Sequence, residues 1–273
     1  MKIARVFPRK TNASPDDDLA FFGPPPDDIE VDEVHISVTY TEDTDTAGEL
    51  FSAWDKIAPA KVGGPALGDP GSIFTPGMYL KYGYVITSRG CPNNCWFCDV
   101  PNREGGIREL PITNGWNLLD SNILACSIDH ISSVFSMLKE QPKRAELTGG
   151  LESKILTDQH VSLLWDLRPS QMFFAYDTND DLEPLIEAGK KLRYADFTRR
   201  HLRCYVLIGY DGDTISKAEK RLLQTWEAGF LPMAMLYKDD EYEPPEIWKP
   251  FQRKWARPPI TKSHIKAAWQ STL

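Results

Sequence analysis

Tyr84-Val85-Ile86-Thr87-Ser88-Arg89-Gly90-Cys91-Pro92-Asn93-Asn94-Cys95-Trp96-Phe97-Cys98 joins an apolar run, a loop opener and three thiols within eight residues. Residues 84–87 predict a strand, so the C-x3-C-x2-C loop follows a strand's carboxyl end. Thiolates are the protein ligands of iron–sulfur clusters. Cys91, Cys95 and Cys98 can hold three corners of a [4Fe-4S] cube. The fourth iron then has no nearby protein ligand. That arrangement suits a catalytic cluster better than a purely electron-carrying one.

Spacing and an aromatic, Phe97, just before the last cysteine resemble the radical S-adenosylmethionine (radical SAM) enzymes. In that family the open iron chelates the amino and carboxylate groups of S-adenosylmethionine. An electron from the cluster cleaves the sulfonium, and the resulting 5′-deoxyadenosyl radical takes a hydrogen atom from the substrate. The cofactor carries the hard chemistry while the protein orients it and excludes solvent. Such an enzyme implies a [4Fe-4S] cluster, S-adenosylmethionine, and an electron donor such as flavodoxin or ferredoxin.

Two plainer readings compete. A structural zinc site wants four ligands, usually as two Cys/His pairs. Cys126 and Cys204 are isolated in apolar runs, and His130 stands at helical spacing from Cys126, a pattern more typical of packing. A disulfide framework fits poorly with five cysteines and no secretory leader. A non-catalytic iron–sulfur or zinc-binding module is the alternative to an enzyme.

The 273 residues, with 41% apolar and 26% charged side chains, are those of an ordinary soluble chain of one large or two modest domains. No apolar run approaches a membrane span. A cytoplasmic location is expected, since an oxygen-labile cluster needs a reducing compartment. The net charge of −8 argues against a broad footprint for duplex nucleic acid. Smaller basic groups, Arg193, Arg199, Arg200 and Arg203 or Arg253, Lys254 and Arg257, read as solvated faces.

Residues 1–82 predict a small α/β unit, with strands at 3–6, 33–38 and 61–63 and a helix over 47–57 that carries Leu50, Phe51, Trp54 and Ile57 on one side. This resembles a truncated form of the Rossmann-like sheet domain that precedes the barrel in cobalamin-dependent radical SAM enzymes. The D-x-H-x-x-G cobalamin motif is absent, as Asp32 and His35 are spaced D-x-x-H without the glycine. The expectation is therefore that cobalamin binding is unlikely.

From residue 83 to 238 strands alternate with helices. Strands are predicted at 84–87, 117–120, 145–148, 172–176, 203–209 and 231–237. Six such units make a partial (βα)6 TIM-type barrel, whose functional groups belong at the strands' carboxyl ends. Residues 239–273 form a proline-broken tail in which Trp248, Phe251, Trp255 and Trp269 pack on the barrel.

Further site residues come from the resemblance. Phe97 would lie against adenine. Asp120, Ser121 and Asn122 stand where relatives receive the methionine amino group, although the G-G-E pattern is missing. Thr148-Gly149-Gly150 lets a backbone approach a ligand, or is a plain turn. Asp177 can accept from ribose hydroxyls, or else Asp177 or Thr178 caps the next helix. Ile208 and Gly209 fit the adenine-side element loosely, with its terminal Glu absent. Met233 is set on the sixth strand, and Arg199, Arg200 or Arg203 is a candidate for the methionine carboxylate. Cys126 and Cys204 are expected to be buried. No residue is identified as catalytic.

The chain thus resembles phage and bacterial members of the superfamily with a short amino-terminal domain. Its substrate is either a nucleoside or nucleic-acid base to be modified or isomerised, or a small metabolite or peptide.

Overall fold

The structure is a computed structural model that describes all residues except 70, 72, 240, 241, 257, 258, 262, 264 and 266–273. Trp269 and Arg257, both named above, therefore lie outside the described residues. The chain divides into two compact units, Met1–Ser121 and Asn122–Leu273.

In the first unit, β1 (Ile3–Phe7), β2 (Ala20–Phe22), β3 (Glu33–Ser37) and, after the helix α1 (Thr44–Trp54), β4 (Ala60–Gly63) form an all-parallel sheet in the order β2-β1-β3-β4. Alternate residues Ala4, Val6, Val34 and Ile36 point to one face. There they meet Ala47, Leu50 and Trp54 of α1. Trp54 is fully buried, and its indole N–H donates to the Gly23 carbonyl at 3.0 Å. Phe51 and Ile57, expected on this face, are exposed. The helix ends at Trp54, and Ala47, Leu50 and Trp54 alone keep the i, i+3, i+7 spacing. The strand β2 has no alternation long enough to read in sequence, because acids and prolines flank Phe21 and Phe22.

The same unit continues with β5 (Tyr84–Val85), β6 (Ser88–Arg89), α2 (Val100–Glu104), β7 (Arg108–Glu109) and β8 (Asn117–Leu118). Strands β5 and β8 are parallel, with Tyr84 opposite Asn117. Strands β6 and β7 are antiparallel and pair Ser88 with Glu109 and Arg89 with Arg108.

The second unit repeats helix and strand: α3 (Ile128–Lys139), β9 (Glu146–Leu151), α4 (Asp158–Leu167), β10 (Gln171–Tyr176), α5 (Leu182–Tyr194), β11 (Leu202–Ile208), α6 (Ile215–Glu227) and β12 (Leu231–Leu236), then α7 (Trp248–Trp255). Strands β9 to β12 lie parallel in sequence order. Ser127, Thr157 and Thr214 cap α3, α4 and α6 by accepting a backbone N–H three residues on.

One face of this sheet is sealed. Met172, Phe174, Tyr176, Leu202, Cys204, Val206 and Ile208 are all at most 2% exposed. The opposite face is partly open, with Ala175 and Met235 exposed and Arg203, Tyr205 and Met233 half-buried. Among the described residues no helix is long and apolar enough to cross a membrane.

Candidate functional site

The cysteine loop leaves a strand end that is held by one buried carboxylate. Asp120, just past β8, accepts from the Thr87 N–H at 2.7 Å, the Thr87 hydroxyl at 2.7 Å and the Ser88 hydroxyl at 2.6 Å. All three residues are at most 1% exposed. Burial pushes the Asp120 carboxyl above its ordinary value, and the Ser88 and Thr87 bonds oppose that rise. Both of its oxygens are engaged. The structure therefore places Asp120 as a pin between the two strand ends rather than as an open acceptor for an ammonium.

The neck of the loop is closed by Glu104, a residue the sequence reading missed. One carboxylate oxygen accepts from Arg89 at 3.0 Å. The other accepts from the Gly90 N–H at 2.9 Å and the Ser121 hydroxyl at 3.2 Å. Glu104 is 6% exposed and Arg89 15%, so this is a shielded, charge-assisted clasp. Ser121, expected at the methionine amino group, donates into it.

Gly90 is fixed here by geometry. Its φ is +85°, and a Cβ would stand 2.3 Å from the Gly106 carbonyl oxygen. Beside it the Cys91 N–H donates to the Gly105 carbonyl at 3.1 Å. The only sequence hint of the clasp is that Glu104 and two glycines close the excursion that Arg89 and Gly90 open.

Within the loop Cys91, Cys95 and Cys98 are not joined in a disulfide, and each is partly exposed. The Cys98 N–H donates to the Cys95 carbonyl at 3.1 Å, which turns the chain between them. The Phe97 and Trp96 rings meet edge to face at 5.3 Å, and Trp96 is 59% exposed. Among the described residues no three His, Cys, Asp or Glu side chains converge as on a single metal ion. A [4Fe-4S] cube is bound differently, with each thiolate on its own iron. Three sulfur donors on one loop suit the cube and do not complete a four-ligand zinc site.

The remaining predicted site residues lie in the second unit. The Asn122 amide donates to Glu152 at 2.7 Å. Thr148 and Gly149 lie inside β9, which runs on through the paired glycines instead of turning at them. A step of two residues on β10, from Met172 to Phe174, faces a step of four on β9, from Leu147 to Leu151. The glycines therefore sit in a bulge.

Asp177 follows β10, but the cap there is made by its neighbours. Asp181 accepts from the Thr178 N–H at 2.7 Å and from the Thr178 hydroxyl at 3.1 Å. Burial, then the charge of Asp181, pushes the Asp177 carboxyl up to about 7, against the Leu207 backbone and Arg221. Ile208 points to the sealed face and is fully buried, whereas Met233 sits on the open face opposite Tyr205.

Gly209, with φ +75°, is required by packing: a Cβ would meet Leu236 at 2.5 Å and Trp248 at 3.1 Å. Its N–H donates to Asp213, which is buried against Arg221 at 2.7 Å, and Thr214 provides the cap of α6. The Arg199 guanidinium is taken up by the Trp226 carbonyl and ring. Cys204 is on the sealed face, where burial pushes its thiol well above the ordinary value.

No protein-family model matches the chain. A ribosomal protein uS12 methylthiotransferase RimO from Actinobacillus succinogenes is 30% identical over 130 residues, 44% of this chain and 29% of that protein. The RimO of Mannheimia succiniciproducens is 29% identical over 136 residues, 46% of this chain and 30% of that protein. The match thus spans under a third of these relatives. The solved structure of the radical S-adenosylmethionine methyltransferase TsrM from Kitasatospora setae superposes with a TM-score of 0.55 at 11% identity, covering 77% of this chain and 64% of that one.

The sequence match to RimO and the likeness to TsrM are in keeping with the radical SAM resemblance of the cysteine loop. The mixed α/β fold with parallel sheets is similar to that of TsrM. The expectation that cobalamin binding is unlikely is corrected by the same likeness. The TsrM structure of this fold holds cobalamin together with a [4Fe-4S] cluster.

Proposed function

We propose that this chain is a radical SAM enzyme in which Cys91, Cys95 and Cys98 hold a [4Fe-4S] cluster whose fourth iron binds S-adenosylmethionine. The observation that carries this reading is the loop itself. It bears three partly exposed cysteines at C-x3-C-x2-C spacing, and its neck is closed by Glu104 on Arg89, Gly90 and Ser121. When bound, the cluster and S-adenosylmethionine supply a reductively generated 5′-deoxyadenosyl radical that abstracts a substrate hydrogen atom.

The chain's own residues have simpler tasks. Asp120 holds the strand end from which the loop departs, and the clasp fixes the loop's two ends. Phe97 is assigned to the adenine side, Asn122, Thr148, Gly149 and Asp177 to the S-adenosylmethionine side, and Met233 to the open face of the sheet. Residues 83–238 are read as the partial (βα)6 barrel, preceded by the short α/β domain and followed by the tail. A flavodoxin- or ferredoxin-type protein would deliver the electron. The substrate is a nucleoside, a nucleic-acid base, or a small metabolite or peptide.

Anaerobic reconstitution tests the reading. The expected product is a brown protein that forms 5′-deoxyadenosine from S-adenosylmethionine and dithionite. A colourless zinc protein, or a cluster indifferent to S-adenosylmethionine, would overturn it. Deuterium transfer from candidate compounds into 5′-deoxyadenosine would then identify the substrate.

A further inference from the structure

The second unit contains an arginine that its structure does not use. Other arginines of this unit find acceptors: Arg221 binds Asp213 and the Leu207 carbonyl, Arg199 the Trp226 carbonyl, and Arg144 the Arg168 carbonyl. Arg200, for whose guanidinium there is also no acceptor among the described residues, is exposed. Arg203 is different. It is half-buried in β11, and among the described residues nothing accepts from its guanidinium or pairs with it. Burial alone acts on it, depressing its pKa from the ordinary value. A partly desolvated cation without a partner costs free energy unless a ligand compensates it.

Its surroundings describe what that ligand would be. Arg203 lies in register between Phe173 and Leu231. Two residues on, and therefore on the same face, Tyr205 stacks on Phe173 with centroids 5.1 Å apart and planes at 29°. Tyr205 is flanked in register by Ala175 and Met233, and among the described residues its hydroxyl has no partner. The open face thus carries two unpartnered hydrogen-bond donors beside an aromatic and methionine surface. Five residues separate Arg203 from Ile208, or about 17 Å of strand. Arg203 is therefore far from the carboxyl end, where the resemblance sets S-adenosylmethionine.

We propose that Arg203, with the Tyr205 hydroxyl, anchors the oxyanion of a substrate whose flat apolar body lies on the Phe173–Tyr205 stack. A planar guanidinium holds a carboxylate or a phosphate through two parallel hydrogen bonds. The inference rests on the reading of the chain as an enzyme acting at this sheet, and it narrows the substrate to an anion with an aromatic or comparably flat group.

Calorimetric titration of the full, reconstituted chain tests it with four probes: benzoate, phenyl phosphate, benzamide and benzyl alcohol. At least one anion should bind about tenfold or more tightly than the neutral probes, in keeping with charge-assisted hydrogen bonds. The tighter anion tells whether the group is a carboxylate or a phosphate. Arg203→Met should abolish that preference, and Arg203→Lys should keep part of it. Equal binding of charged and neutral probes, no binding of either anion, or a preference that survives in Arg203→Met would overturn the site. The comparison of probes on the unsubstituted chain stands even if a variant fails to fold. A chain that prefers the anion through Arg203 but never yields 5′-deoxyadenosine would sink the enzymatic reading and leave the anion site in place. The reverse result would sink the site alone.

Discussion

The Glu104 carboxylate accepts the Gly90 backbone N–H at 2.9 Å, across fourteen residues that include all three loop cysteines. The loop's two ends are thereby tied to each other independently of any metal. Glu104→Gln keeps the shape but removes the charge that Arg89, Gly90 and Ser121 share. Hydrogen bonds to charged groups contribute about 1.5–3 kcal/mol each when shielded. The variant should take up less iron and sulfide per chain than the parent under identical reconstitution, although every cysteine is present. Equal iron content would show that the clasp does not order the loop.

Gly90 and Gly105 both have positive φ, +85° and +73°, but only Gly90 is crowded. Gly90→Ala adds a collision with two carbonyl oxygens to the cost of a left-handed backbone, which is about 1–2 kcal/mol by itself. Gly105→Ala meets no atom within 4 Å, but at φ +73° and ψ −156° it stands in a region essentially reserved for glycine, so it carries a backbone cost of about 1–3 kcal/mol without a collision. Thermal melts should rank Gly90→Ala clearly below Gly105→Ala, and the reverse order would contradict the neck geometry.

Asp120 separates a structural role from a ligand role. As a pin, Asp120→Asn leaves the Thr87 and Ser88 donors short of acceptors in a buried site, at a cost of about 1–3 kcal/mol. The melting temperature should fall. An unchanged melt with weaker S-adenosylmethionine binding would instead restore Asp120 as an acceptor for the amino group.

Strand–helix alternation from residue 128 onward is legible in sequence because strands such as β11 are largely apolar runs and helices such as α6 open on a cap signal, Thr214. The neck of the cysteine loop is not. Strands β6 and β7 have two residues each, too few for any alternation, and the Arg89–Glu104 bond is a long-range relation between charges that read as surface. Gly149 and Gly150 read locally as a turn, but pairing along β10 absorbs them as a bulge. The cysteines were legible because thiol chemistry depends on spacing over a few residues. The open face with Arg203 was not, since it depends on which of two faces the helices cover.

Asp177 gives the chain a pH signature. The unfolded carboxyl releases its proton near 3.8, and the folded one holds it to about 7. Between these values the native state binds more protons, so stability falls as pH rises and levels off above about 7. Melts from pH 5 to pH 8 should show this decline, and Asp177→Asn should flatten it. An identical slope in the variant would remove Asp177 as the cause.

On the proposed reading, three cysteines leave one iron of the cluster open to S-adenosylmethionine. Electron paramagnetic resonance of the dithionite-reduced, reconstituted protein with and without S-adenosylmethionine tests it most directly. The expected result is a [4Fe-4S]+ signal that changes shape and g-values when S-adenosylmethionine is added, with no such signal in Cys95→Ala. A reduced-cluster spectrum identical with and without S-adenosylmethionine would contradict it.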